Sequence, residues 1–278
     1  MTGDAVDSRR GPTHLGSYLL VAVVLLFYVF PLAYLVNTAL KSGHEVVANP
    51  GGLVHSPRLQ NFVDAWRAGN FGSYIVNSII YSGSAALIGT FVSVVLAFPV
   101  SRGYITGAKW WRLLFVFLLF LPNALITQFQ LLLRLNLYDS RLGYILIMAA
   151  AIGVGPLLMH GYVKSIPREL DEAAALDGIS YWRFLLSFVI PFSKPAIATL
   201  FILQAIAVWN DIIVATVMMP DQTKSPLTLG LYNFQGQYSN QWQLLAAATL
   251  IVAAPLIVAY LFLQRYLASG VIGGAVKG

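Results

Sequence analysis

The sequence predicts an all-α membrane protein of six transmembrane helices with both termini on the cytoplasmic side. Three observations predict it. Apolar residues make up 58% of the 278-residue chain and charged residues only 10%, against about a quarter charged in an average soluble domain, and the mean hydropathy is +0.73. The apolar residues gather into runs of spanning length, since about 20 of them cross the ~30 Å of hydrocarbon. The basic residues divide unequally between the connecting segments. With the N-terminus inside, the inner set is Arg9, Arg10, Arg102, Lys109, Arg112, Lys164, Arg168, Arg183, Lys194, Arg265 and Lys277, and the outer set only Lys41, Arg58, Arg67, Arg134, Arg141 and Lys224, the bias expected of cytoplasmic loops.

Residues 1–13 read as a polar cytoplasmic tail and 14–278 as one transmembrane domain. The expected spans are Leu15–Leu40, Tyr74–Val100, Trp111–Leu133, Leu142–Val163, Phe188–Met219 and Leu244–Leu263. Arg9 and Arg10 precede the first run as they would in a signal peptide, but the run outlasts the 7–15 apolar residues of such a segment. Residues 41–73 form an outer segment rich in Gly, Pro and Asn, with an amphipathic piece around Leu59–Trp66. Trp66, Trp110 and Trp111 stand at span edges, where indoles favour the interface. Pro31, Pro122, Pro156 and Pro255 fall inside spans and predict kinks, because each removes a backbone hydrogen bond.

The net charge of +6 fits topology and contact with anionic lipid; nothing in it points to nucleic acid. With no cysteine, disulfides, thiolate metal sites and cysteine nucleophiles are excluded. The four histidines, His14, His44, His55 and His160, have no metal-ligand spacing. Gly103 to Lys109 approaches a phosphate-binding loop but lacks its Gly-x-x-x-x-Gly-Lys-Ser/Thr spacing. The chain is therefore expected to carry no catalytic residue, no metal and no cofactor.

The loop at 164–187 has a pattern that lipid contact does not require. Pro167 suits a first helical position, Glu169, Asp171 and Glu172 suit the positive end of the helix dipole, and Ala173, Ala174 and Ala175 are strong helix formers with a slim surface. Gly178 then suits a left-handed C-terminal turn. The spacing predicts a helix of about ten residues, ~15 Å long, projecting from the membrane and shaped to enter a cleft on another protein.

Glu172-Ala173-Ala174, Gly178 and Pro191, with Phe188 and Ile190 in place of the usual Ile and Leu, resemble the Glu-Ala-Ala loop of ABC importer permeases. Further segments, in order, resemble the second six-span permease subunit of maltose-type sugar importers: Asn37-Thr38-Ala39-Leu40-Lys41, Leu59-Gln60-Asn61-Phe62, Asn77-Ser78, Ala97 to Arg102 (with Pro99 in place of a small residue), Trp209-Asn210-Asp211, and Gly270 to Gly278. The resemblance implies a type I importer permease fold. It implies an ATPase-coupling helix of Glu172, Ala173, Ala174, Asp177 and Gly178, in which Glu172 pairs with a basic residue of an ATPase subunit, Ala173 and Ala174 allow close packing, and Gly178 sets the turn. ATP and Mg would sit on that separate ATPase dimer. The implied partners are a second permease subunit and an extracytoplasmic sugar-binding protein, in the cell membrane of a prokaryote.

Asp211 is the acidic residue well inside an expected span, where a charge costs ~2.5–3.5 kcal/mol by insertion scales. With Trp209, Asn210 and Gln204 it is a candidate to line a sugar pathway; the alternative is a structural hydrogen bond. Asn123, Gln128 and Gln130 are secondary candidates, better suited to helix–helix hydrogen bonds. The outer segment Leu229–Tyr238, with Gly230, Tyr232, Asn233, Phe234, Gln235 and Gly236, is expected to be a loop that contacts the binding protein. An importer for another solute, such as glycerol-phosphate, shares most of these features. A stand-alone secondary transporter would show paired inverted repeats and several coupling carboxylates, which this sequence lacks.

Overall fold

The computed structural model describes residues 13–275 apart from Asn123 and Ser239. The tail at 1–12, with Arg9 and Arg10, the candidate Asn123 and the last three residues, with Lys277, lie outside the described residues. The described elements are helices: α1 (Thr13–Leu40), α2 (Gly43–Ala48), α3 (Gln60–Ala68), α4 (Phe71–Arg102), α5 (Ala108–Leu118), α6 (Leu125–Arg134), α7 (Arg141–Ala150), α8 (Gly155–Lys164), α9 (Glu169–Leu176), α10 (Tyr181–Phe184), a π-turn (Leu185–Val189), α11 (Ile190–Phe192), α12 (Lys194–Trp209), α13 (Ile213–Met218), a 3-10 turn (Gln222–Lys224), α14 (Leu227–Gln237) and α15 (Trp242–Ala275).

The described residues divide into two packed units, those up to 68 with 235–251 and those of 69–234 with the residues from 252 on. In the first, polar side chains tie off the end of α1. Asn61 Nδ2 donates to the carbonyls of Ala39 at 2.7 Å and Lys41 at 2.8 Å, taking up groups that a helix end leaves open. Lys41 is fully buried, and its ammonium donates to the carbonyls of Asn49 at 2.8 Å and Pro50 at 3.2 Å. Asn37 bridges onward, donating to Gly52 O and accepting from Val54 N, each at 2.9 Å. Along α1 the large apolar side chains from Tyr18 to Phe30 are exposed, which suits a helix whose solvent is lipid.

The second unit holds two cores. One gathers Tyr81, Tyr144, Ile147, Met148, Val208, Met218 and Leu229. The other gathers Phe98, Met159, Val163, Ala174, Phe184, Leu185 and Leu200. The long, nearly apolar α4 contributes to both, through Tyr81 and Ala85 at one level and Val94, Ala97 and Phe98 at the other. Near its N-terminus α4 clamps the segment before α14. Asn77 Nδ2 donates to the carbonyls of Thr223 at 3.1 Å and Ser225 at 3.0 Å, Tyr81 OH donates to Lys224 O at 2.7 Å, and Ser78 Oγ accepts from Leu227 N at 2.8 Å. Lys224 Nζ also meets Asp139 Oδ2 at 3.2 Å and Asp221 Oδ2 at 3.1 Å.

Three described helical stretches are long and apolar enough to cross a membrane: Gly16–Leu40, Phe71–Arg102 and Trp242–Phe262. Two bent pairs, α7 with α8 at 51° and Tyr181–Phe192 with α12 at 81°, raise that to five if each pair is one span. The expected spans are thus less continuous than the hydropathy suggests. The third, at 111–133, is α5 and α6 with a break between Leu118 and Leu125 that contains Pro122, whose ring and missing N–H interrupt a helix. The expected Phe188–Met219 span begins seven residues earlier, at Tyr181, turns sharply at Ser193 and unwinds again between Trp209 and Ile213. Pro195 in the first turn of α12 allows a fresh start there.

The segment Leu229–Tyr238 is also different from expectation. It is helical to Gln237, not a loop. Its two glycines suggest flexibility, but Gly230 is buried against Tyr74, and a Cβ there would fall inside the van der Waals shell of that ring. Phe234 is buried one turn on, its ring 5.7 Å from that of Phe71. Tyr232, Asn233, Gln235 and Gly236 are exposed.

Candidate functional site

α9 is an eight-residue helix, Glu169–Leu176, shorter than the ten residues expected because Pro167 stays outside it and Arg168 is its N-cap. Glu169, Asp171 and Glu172 fill its first turn, where the free amides and the dipole favour carboxylates. Its end is a Schellman turn. Ile179 N donates to Ala174 O at 2.9 Å and Gly178 N to Ala175 O at 3.1 Å, with Gly178 at φ +67°. Only a residue without Cβ takes that conformation at no cost.

Of the α9 side chains, only Ala174 is buried; it packs into the core beside Phe184 and Val163. Glu172, Ala173, Ala175, Asp177 and Gly178 are exposed, and Leu176 is 89% exposed. The helix therefore turns Leu170, Asp171 and Ala174 inward and projects a face of alanine, glutamate and leucine.

What holds it is a buried ion pair. Arg102, the last residue of α4, brings Nη2 to 2.8 Å from Asp171 Oδ2, with the two side chains 2% and 11% exposed. Its Nη1 donates to Ile166 O at 2.9 Å, just before α9. Tyr104 OH donates to the other carboxylate oxygen, Oδ1 of Asp171. The Tyr104 hydroxyl is pushed up from 10.0 to about 12, first by burial and then by its bond to the Asp171 carboxylate and that charge, against the pull of Arg102 and Arg168. Arg102, Arg168, Asp171 and Glu172 line a pocket of about 260 Å³ at this corner.

Asp211 occupies the gap between α12 and α13. Its Oδ1 accepts from Val214 N at 3.2 Å, its Oδ2 accepts from Ala215 N at 2.9 Å and from Tyr144 OH at 2.9 Å, and its carbonyl accepts from Thr228 Oγ1 at 2.6 Å. The carboxylate thus caps α13 and joins it to α7. Gln204 is buried and points its Nε2 at the carbonyls of Met148 at 3.3 Å and Ala149 at 3.5 Å, which lie at the end of α7 where the helix stops. Trp209 is buried, whereas Asn210 is exposed and donates back to Ile206 O at 2.9 Å. Gln128 is half-buried and Gln130 exposed. The sequence reading missed Arg102 and Tyr104 as anchors of α9. The signal available to it was an arginine ending an apolar span and an aspartate one residue before the Glu-Ala-Ala triplet.

The described residues thus define an all-helical membrane protein in which an exposed acidic helix is anchored to the end of α4. The chain is a member of the binding-protein-dependent transport system inner membrane component family, whose pattern matches residues 86–273. It is therefore an inner-membrane protein. It is 31% identical over 278 residues to the probable ABC transporter permease protein YurM of Bacillus subtilis strain 168, covering 98% of this chain and 92% of that protein. It is 29% identical over 267 residues to the melibiose/raffinose/stachyose import permease protein MelC of the same bacterium, covering 94% and 95%. Its fold matches a chain of a bacterial ABC transporter that imports the acidic polysaccharide alginate, with a TM-score of 0.81, 24% identity, and coverage of 95% of this chain and 99% of that one.

Proposed function

We propose that the chain is one permease half of an ATP-driven importer for a sugar, and that α9 is the helix through which a separate ATPase moves it. The observation that carries this reading is the combination of an exposed Glu172, Ala173, Ala175 and Leu176 face with a rigid root at Arg102–Asp171. A helix that transmits force must be slim enough to enter a cleft and must not swivel at its base. Ala173 and Ala174 keep the helix thin, Glu172 offers a charge for a basic residue of the ATPase, and Asp177 and Gly178 form the turn that returns the chain to the membrane. The chain itself supplies no ATP chemistry.

The sugar assignment rests on a relative named as a melibiose, raffinose and stachyose import permease, and on the alginate importer that shares the fold. The unwound segment Asn210–Ile212 fits a pathway. Non-helical backbone at membrane depth is tolerated only where protein buries it or where it lines a watery cavity, and Asn210 has its side chain exposed there. Trp209, Asn210, Asp211 and Gln204 remain the proposed pathway group, Asp211 and Gln204 acting chiefly by shaping it. The exposed residues Tyr232, Asn233, Gln235 and Gly236 of α14 are the proposed contact with an extracytoplasmic binding protein, positioned by buried Gly230 and Phe234. Six crossings with both termini inside put α9 in the cytoplasm.

The test is to purify the tagged chain from its native membrane in mild detergent and identify by mass spectrometry what accompanies it. An ATPase, a second permease and a binding protein are expected, and the binding protein can then be screened against sugars. Recovery of the chain alone, or as a homodimer without an ATPase, would overturn the proposal.

A further inference from the structure

A second pocket, of about 210 Å³, lies between the ends of α4, α5 and α8 and is lined by Ser101, Lys109, Arg112, His160 and Lys164 among others. No carboxylate lines it. Among the described residues, Lys109, Arg112 and Lys164 make no ion pair, whereas Arg102 at the neighbouring pocket is matched by Asp171. Cations crowded round one cavity repel each other unless an anion enters. His160 lines the same pocket, and its Nδ1 has no hydrogen-bond partner among the described residues.

The setting says where that anion comes from. α5 begins at Ala108 beside Gly107, with no side chain capping its first amides, so its positive end adds to the field at Lys109. Trp110 and Trp111 follow, both exposed, and then exposed Leu113, Leu114 and Phe117. An exposed aromatic pair followed by exposed apolar side chains suits a helix that enters hydrocarbon from the interface. A ligand with a phosphate at one end and acyl chains at the other matches the whole run; with the orientation proposed above, on which this inference rests, the pocket lies on the cytoplasmic side, where basic pockets between spans suit such head groups.

We infer that Lys109, Arg112, His160 and Lys164 form a binding site for the phosphate head group of an anionic phospholipid. The acyl chains lie along Leu113, Leu114 and Phe117. A lipid held there joins α5 to α8 immediately before the segment that leads into α9.

The test is native mass spectrometry of the full chain, with whatever subunits it carries, released from nanodiscs of phosphatidylcholine containing increasing phosphatidylglycerol. The wild type should retain phosphatidylglycerol in preference to phosphatidylcholine, and inorganic phosphate should not displace it. The triple variant K109Q/R112Q/K164Q should weaken retention on the order of 100-fold, since each basic residue near the surface contributes roughly five-fold, while K109R/K164R should keep it. If the triple variant does not assemble, Lys164→Gln alone should lower retention about five-fold. Equal retention of the two lipids by the wild type, undiminished retention in the glutamine variants, or displacement by free phosphate would each overturn the assignment.

Discussion

Arg102 and Asp171 join the end of the longest described apolar span to the first turn of α9 through an ion pair of 2.8 Å, nearly closed to solvent. Removing one partner of a buried pair leaves the other charge uncompensated and costs roughly 3–5 kcal/mol, whereas replacing both by apolar groups is often close to neutral. Arg102→Ala and Asp171→Ala should each uncouple ATP hydrolysis from uptake in the assembled importer. The double variant R102M/D171L should recover much of the stability lost in the single ones. Thermal unfolding in detergent and solute uptake into proteoliposomes, measured on all three, check both halves; equal losses in single and double variants would remove the pair from the mechanism.

Gly178 sits at φ +67° with open space where a Cβ would go, so any penalty there comes from the backbone and not from a clash. Gly178→Val should cost about 1–2 kcal/mol locally and sharply reduce uptake while membrane insertion is unchanged. Gly178→Asn should retain most activity, because asparagine is the residue after glycine most at ease in that region. Comparable uptake by the valine and asparagine variants would show that the turn's conformation is not what matters.

Tyr104 gives a pH signature for the root of α9. Its folded value, about 12, lies above the usual 10.0. A raised value means the unfolded state loses its proton first, so the contribution is complete below 10.0 and disappears as pH rises through about 12. Difference absorbance between wild type and Tyr104→Phe should show one tyrosinate appearing near the upper value. In Asp171→Asn the same transition should move down, because the carboxylate that opposes ionisation is gone. A transition at the ordinary value in the wild type would contradict the Tyr104–Asp171 bond.

Asp211 is held by two backbone amides and the Tyr144 hydroxyl. Asp211→Asn keeps one acceptor oxygen and turns the other position into a donor, leaving a buried group unmatched at a cost of about 1–3 kcal/mol. Tyr144→Phe removes only one donor and should cost roughly 0.5–1.5 kcal/mol. Thermal stability should therefore fall more in Asp211→Asn than in Tyr144→Phe. Uptake titrations separate shaping from contact: a variant that lowers stability at unchanged apparent affinity for the solute acts on the α12–α13 break alone.

How much of this was legible depends on how far apart the cooperating residues lie in the chain. The helix at α9 and its turn are local features, written in the acidic first turn, the alanine run and Gly178, and they are found where the pattern puts them. Its length was overestimated because Pro167 looks like a helix start when Arg168 is in fact the cap. The Tyr104–Asp171 and Tyr144–Asp211 bonds each connect residues 67 apart, and no periodicity announces them. α14 was hidden for a different reason. Gly230 and Gly236 suggest a flexible loop, and only the ring of Tyr74 beside Gly230 explains why a glycine is needed inside a helix. The breaks in the apolar spans are invisible to hydropathy, which counts side chains and takes no account of the backbone.

The length of α4 has one more consequence. Its 32 residues run without a break from Phe71 to Arg102, about 48 Å at 1.5 Å per residue. Phe71 and Tyr74 at one end support Phe234 and Gly230 of α14, and Arg102 at the other supports α9. Pro99 lies inside it, one turn before Arg102, and removes one backbone hydrogen bond there. One helix thus carries the supports of two exposed surfaces, that of α9 and that of α14.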